Sequence, residues 1–193
     1  MKKRLVSLLI VACMIFSMLP FSAVTAFAEE SASNKCGDNL TWSYDENTQT
    51  LTISGSGPMY NYSEGAPWRS DFVKSAQIGE GVTTIGDYAF MMSDLTSITI
   101  PDSVTAIGES AFDESTSLTS VTIPGSVTTI GKNAFQECSG LASVTISDGV
   151  KEIGAGAFSE CSGLSSINIP NSVTEIGTGA FANSGLTSIE IPN

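Results

Sequence analysis

The sequence predicts a solenoid: short parallel β-strands, turns and single helical turns wound into about five stacked coils, preceded by a small β-hairpin cap. Two observations carry that expectation. A unit of 23 residues recurs from Leu95 through Leu164 and is shortened to 22 before Leu186. Within it, prolines, glycines and an Ala-Phe pair return at fixed positions, a pattern that helical heptads do not produce. One such unit cannot bury its own apolar side. Stacked units cover one another, and each adds a strand to a parallel sheet at a spacing of ~4.8 Å.

The units read LTSITIPDSVTAIGESAFDESTS from Leu95, LTSVTIPGSVTTIGKNAFQECSG from Leu118, LASVTISDGVKEIGAGAFSECSG from Leu141 and LSSINIPNSVTEIGTGAFANSG from Leu164. LTSIEIPN opens a fifth at Leu186, and a degenerate unit, Val73 to Asp94, precedes them with Ile78, Val82, Ile85-Gly86 and Ala89-Phe90 in register. Leu95, Ile98, Ile100 and their equivalents suit the inner side of a short strand, where β-branched residues pack well. Pro101, Pro124, Pro170 and Pro192 end that strand, since proline has no N–H to continue a ladder. Val104 and Ile107, then Val127 and Ile130, enter the core from a second extended piece. Gly108, Gly131, Gly154 and Gly177 mark a tight turn or a close approach to another backbone. Ala111-Phe112, Ala134-Phe135, Ala157-Phe158 and Ala180-Phe181 are expected to form one helical turn each, with the phenylalanines stacked as a spine.

The joint pattern L-x-x-[IV]-x-IP-x-x-V-x-x-IG-x-x-AF-x-x-C closely resembles the BspA-type leucine-rich repeats of bacterial surface proteins over residues 73–193. CGDNLTWSYDENTQTLTISGSG, from Cys36, with the later Pro67-Trp68 pair, is similar to the N-terminal cap of that family. The resemblance implies a leucine-rich repeat solenoid in a secreted or surface-attached protein that mediates adhesion or protein–protein contact, with no partner identified. The family's cysteine column is filled only at Cys138 and Cys161; Ser93, Ser115 and Ser184 take the other coils.

Ahead of the repeats, Lys2-Lys3-Arg4, the apolar stretch from Leu5 to Leu19 and Ala26-Phe27-Ala28 read as a signal peptide, residues 1–28, cut after Ala28. Ile10-Val11-Ala12-Cys13 also fits a lipobox, but the apolar run continues past Cys13 to Phe27, where a lipid tether would turn polar. Residues 29–35 read as a disordered lead-in, 36–72 as the N-terminal cap and 73–193 as the repeats. In the cap, Leu40–Tyr44 and Thr50–Ser54 alternate as a β-hairpin joined by Asp45–Gln49. The last unit stops short of its Val, Ile-Gly and Ala-Phe positions, which reads as a fragment of a longer protein.

Removing Lys2, Lys3 and Arg4 from eight basic residues leaves five against twenty acidic ones, a net charge of −15. Phosphate backbones and anionic headgroups repel such a surface, which excludes nucleic acid and polybasic membrane docking. No further apolar run is long enough for membrane insertion after cleavage. Catalysis has little to stand on: there is no histidine, and no G-x-S-x-G, P-loop or G-x-G-x-x-G. Acidic pairs such as Asp113-Glu114 read as solvated turns. Asp45, Asn47 and Gln49 alternate like the start of a calcium loop but lack its glycine and closing glutamate, so a hairpin turn accounts for them better. No cofactor is expected. Cys138 and Cys161 share a column in adjacent coils, which allows a disulfide, although two packed thiols fit better.

Two surfaces are candidates for binding an extracellular protein or glycan. Alternation turns Ser97 and Thr99 outward, followed by Ser120 and Thr122, Ser143 and Thr145, Ser166 and Asn168, then Ser188 and Glu190. These ladders line the strand face that solenoids often use for partners, although Ser and Thr equally serve to keep a sheet soluble. They lack Trp, Tyr and Arg, so any partner gains from many weak contacts. The alternative is a carbohydrate-stacking platform made of the cap aromatics Trp42, Tyr44, Tyr60, Tyr62 and Trp68, rings that would otherwise hold the cap together. A third reading is a spacer for other domains.

Overall fold

The computed structural model describes residues 34–69 and 73–191; the expected signal peptide and residues 29–33 of the lead-in lie outside them. The coils from Val73, Leu95, Leu118 and Leu141 contribute two short strands each, one to each of two sides of the stack, and the coil from Leu164 contributes one, to the second side. On the first side β1 (Lys35–Gly37), β2 (Leu40–Asp45), β3 (Thr50–Gly55), β5 (Ser75–Ile78) and β7 (Ser97–Thr99) form one sheet in that order, and β9 (Ser120–Ile123) pairs with β11 (Ser143–Ile146). The second side is a continuous six-stranded sheet of β4 (Gly57–Pro58), β6 (Val82–Ile85), β8 (Ala106–Ile107), β10 (Thr129–Ile130), β12 (Glu152–Ile153) and β13 (Glu175–Ile176). Strands of successive coils run parallel, as a solenoid requires, while β1–β2 and β2–β3 are antiparallel.

The third side departs from the sequence expectation. The Ala-Phe segments are not helical turns, and among the described residues there is no helix. The cause lies in two left-handed residues flanking each pair: Ser110 (φ 49°) and Glu114 (φ 57°) around Ala111-Phe112, Asn133 and Glu137 (both φ 55°) around Ala134-Phe135. A residue at positive φ breaks a right-handed helix. Here it aims alternate N–H groups at the next coil instead: Ser110, Phe112 and Glu114 donate to the carbonyls of Lys132, Ala134 and Gln136 at 2.9, 2.7 and 2.9 Å. The turn is thus a third ladder between coils, and three intercoil ladders satisfy the backbone that a helix would have satisfied internally.

The phenylalanine spine is present. Phe90, Phe112, Phe135, Phe158 and Phe181 stack with ring centroids 4.9–5.6 Å apart and planes within 6° of parallel. The first four are buried to 1% exposure or less. Each contributes about 1.5–3 kcal/mol by burial. The glycine column proves to be a close approach, not a left-handed turn: a Cβ on Gly131 would lie 2.6 Å from both the carbonyl carbon and oxygen of Gly108.

The cap is a hairpin laid on an incomplete coil. β3 and β4 occupy the two strand positions, and Trp68 takes the place of the spine ring, 5.9 Å from Phe90. Its indole N–H donates to the Ala89 carbonyl at 2.9 Å, tying the cap to the first full coil. Trp42 and Tyr62 meet Trp68 edge-on at 5.8 and 5.7 Å.

In the Ser/Cys column, the buried thiols of Cys138 and Cys161 are free and donate to the carbonyls of Phe112 and Phe135, each at 3.0 Å. The Ser115 hydroxyl does the same to Phe90 at 2.8 Å. Burial pushes the Cys161 thiol up to about 12 and holds Cys138 well above its ordinary value. Cys138→Ser should therefore leave stability nearly unchanged. Cys138→Val, which removes the thiol's hydrogen bond to the Phe112 carbonyl and leaves that of the Ser115 N–H at 3.1 Å, should cost about 0.5–1.5 kcal/mol in thermal unfolding.

Candidate binding face

All ten ladder residues are exposed: Ser97, Thr99, Ser120, Thr122, Ser143, Thr145, Ser166, Asn168, Ser188 and Glu190. The pleat sends Val121 and Ile123, Val144 and Ile146 inward, so their neighbours can only face out. Register aligns Ser120 with Ser143 and Thr122 with Thr145. Ser166 and Asn168 continue the columns on an extended stretch that is not assigned as a strand.

The face extends further than the sequence pattern alone indicates. Ser75 and Gln77 pair with Ser97 and Thr99, and Thr50 and Thr52 pair in turn with Ser75 and Gln77. Across the hairpin, Thr52 opposes Ser43 and Thr50 opposes Asp45. The signal that could have found them is the same alternation, in Thr50-Leu51-Thr52-Ile53 and Ser75-Ala76-Gln77-Ile78. It was hidden because the unit from Val73 is degenerate. Charge is nearly absent here: Asp45 and Glu190 carry the only charges among these columns.

The strand ladder on this face breaks between β7 and β9 and does not continue past β11. β7 and β9 are not paired, although the same two coils stay in register at β8–β10 and at the Phe112–Phe135 stack, 4.9 Å apart. The turn before β7 is one residue shorter than the turn before β9: four positions separate Ser93 from Ser97, and five separate Ser115 from Ser120. Between β7 and β9 lies a cleft lined by Ser97, Ile98, Thr99, Ser120, Val121 and Thr122, with Asp102 also in its lining.

The cap rings are differently placed. Trp68 is buried, Trp42, Tyr44 and Tyr62 are partly buried, and Tyr60 is exposed with its hydroxyl donating to Asp38 at 3.1 Å. Three of the five pack on one another and do not form an open row. Asp45, whose neighbours suggested a cation loop, accepts the backbone N–H groups of Asn47 (2.9 Å) and Thr48 (3.4 Å); these bonds hold its carboxyl below the usual range.

Asp113 and Glu114 sit in the Ala-Phe turn, on another side of the coil. Burial pushes Asp113 up to about 6, with Glu114 and Glu137 adding to the rise against a hydrogen bond from Ser110. A carboxyl raised in the folded state contributes stability below its unfolded value near 4, lost as pH rises through about 6. Asp113→Asn should thus stabilise the protein at pH above about 6 and do little at pH 4, which urea unfolding at the two pH values reads directly.

A family model described as BspA type leucine-rich repeat region matches six copies over residues 83–193. No curated protein sequence matches the chain. Among solved structures, the pneumococcal vaccine antigen PcpA is similar over 80% of this chain at 19% identity with a TM-score of 0.57, and the chain spans about half of it, 48%. A leucine-rich repeat protein from Bacteroides capillosus matches over 83% of this chain and 99% of its own, at 28% identity and TM-score 0.48. A third, from T. pallidum, covers 78% and 88% at 21% identity and TM-score 0.47. The likeness to PcpA shows the fold, and the family match spans more than half of the sequence. The chain belongs to the BspA-type leucine-rich repeat family.

Proposed function

We propose that the chain is a secreted or cell-surface binding protein of a bacterium, and that it engages an extracellular partner through the strand face of its solenoid. The observation that carries this reading is the distribution of charge. A sequence with twenty acidic residues presents one long face of short hydroxyl side chains that is almost free of charge. Short side chains lose little rotamer entropy on contact, so many weak hydrogen bonds can sum along the stack. The signal-like N-terminus supports export, and membership of a repeat family described without a catalytic domain fits binding, not turnover. The similarity to PcpA, a pneumococcal vaccine antigen, is consistent with an exposed location.

The test is Thr99→Lys, Thr122→Lys and Thr145→Lys together. All three sites are exposed, so the melting temperature should hold while retention on immobilised extracellular-matrix proteins falls at least tenfold. Undiminished retention would remove the strand face from consideration.

A further inference from the structure

We propose that the contact between the coil from Leu95 and the coil from Leu118 is a proton-controlled joint, closed by acid and loosened toward neutral pH through Asp113. The coils from Val73 and Leu95, like those from Leu118 and Leu141, are bonded on three sides: by strand pairing on both sheets and by the Ala-Phe ladder. Between the coils from Leu95 and Leu118 one side is missing, because β7 and β9 do not pair. A single long side-chain bond, from the Thr119 hydroxyl to the Thr96 carbonyl at 3.4 Å, crosses there. Two backbone connections remain. One is the two-residue β8–β10 pairing. The other is the ladder from Ser110, Phe112 and Glu114 to Lys132, Ala134 and Gln136, and Asp113 sits between two of its donors.

The Asp113 Oδ1 atom is buried and has no hydrogen-bond partner. The charged groups that face the carboxyl are both acidic: Glu114 on its own turn and Glu137 on the next coil, whose Cys138 thiol also lies near. The Lys132–Glu109 pair crosses the same joint at 2.9 Å, but both side chains are largely solvated, where such a pair contributes little. A carboxylate in this place is penalised by burial and by its neighbours, and the neutral acid is not. Opening the joint returns Asp113 to water and to its ordinary value, so the closed joint holds the proton more tightly. That contribution is full below about pH 4 and is lost as pH rises through about 6. The joint between the coils from Leu141 and Leu164 provides an internal comparison. It too lacks strand pairing on the first side, since β11 pairs only with β9. Ser159 stands there in the place of Asp113, and Glu160 accepts the Asn183 side-chain amide at 2.6 Å. Met91, Gln136 and Ala182 hold the position in the other coils, so Asp113 is the one acid in this column.

The experiment is amide hydrogen exchange of the protein, read by NMR at pH 5 and pH 7.5 and corrected for intrinsic exchange rates. Protection of the Ser110, Phe112 and Glu114 amides should be ~tenfold greater at pH 5, the ratio that the raised Asp113 value implies. The Gly156, Phe158 and Glu160 amides, which make the same ladder at the comparison joint, should change by less than about twofold. Asp113→Asn keeps the shape and cannot ionise, so it should hold protection at the acid level at both pH values. Asp113→Ser, which copies the comparison joint, should likewise remove the response and serves if the asparagine variant fails to fold. Circular dichroism on each variant checks folding. Equal protection of the wild type at the two pH values would overturn the joint. So would a response of the same size at the comparison joint, which would mean a uniform effect on the whole stack, or a response that survives both substitutions.

Discussion

Replacing Gly131 with alanine should destabilise the protein by about 3 kcal/mol and lower its melting temperature by roughly 10 °C. Gly131 sits between Gly108 and Gly154 in a column where consecutive backbones touch. A Cβ there would lie 2.6 Å from the Gly108 carbonyl carbon and oxygen and 2.8 Å from the Glu109 nitrogen, and its own carbonyl already crowds the Gly154 position at 2.8 Å. All of these atoms are backbone, and Gly131 N–H donates to the Ile107 carbonyl at 2.8 Å, so neither coil can yield without opening the ladder. Gly179 is the contrast. It is left-handed (φ +65°) with its nearest neighbour 3.7 Å from a Cβ, and Asn133 holds the same place in another coil at φ 55°. Gly179→Asn should change stability by no more than about 0.5 kcal/mol. Paired thermal melts decide the matter: equal losses at both sites would show that conformation, not contact, selects glycine in the 131 column.

Truncating the middle of the spine should cost more. Phe135→Ala removes a fully buried ring stacked at 4.9 Å on Phe112 and 5.3 Å on Phe158, for an expected loss of about 3–5 kcal/mol. In a stack where each coil touches only its neighbours, that loss falls on two interfaces at once and weakens the coupling between the halves. Trp68 reports the cap end, because it packs on Phe90, while far-UV circular dichroism reports all coils. The wild type should unfold with the two signals coincident, and the variant with them separated along the guanidinium axis. Coincident transitions with a loss below about 1 kcal/mol would mean that the spine is not what couples the coils.

Much of the fold was legible because it is periodic. The recurrence of Leu118, Val121 and Ile123 with Val127, Ile130 and Phe135 specifies two strands and a spine ring in the coils from Leu95 to Leu141, and each of these residues is buried to 4% exposure or less. Tyr44-to-Thr50 spacing placed the cap hairpin for the same local reason. The Ala-Phe segment was misread because helical turns and chains of β-turns share a short-range pattern. What separates them is where the N–H groups go, and at Phe112 that partner is Ala134, twenty-two residues away. The outward ladders were legible from alternation, but not their continuation to Ser75 and Thr52, because the unit that links them is degenerate.

The sequence by itself determined that coils stack, how many residues each takes, which side chains fill them and that the face of serines and threonines carries almost no charge. These follow from local chemistry repeated at a constant interval. Only the tertiary structure decided what lies between coils: that the glycines meet backbone to backbone, that the thiols serve neighbouring carbonyls, that Trp68 continues the phenylalanine spine, and that β7 and β9 part. Each is a relation between residues about one coil apart. Whether two strands pair depends on both coils at once, a relation that no single unit of the repeat carries.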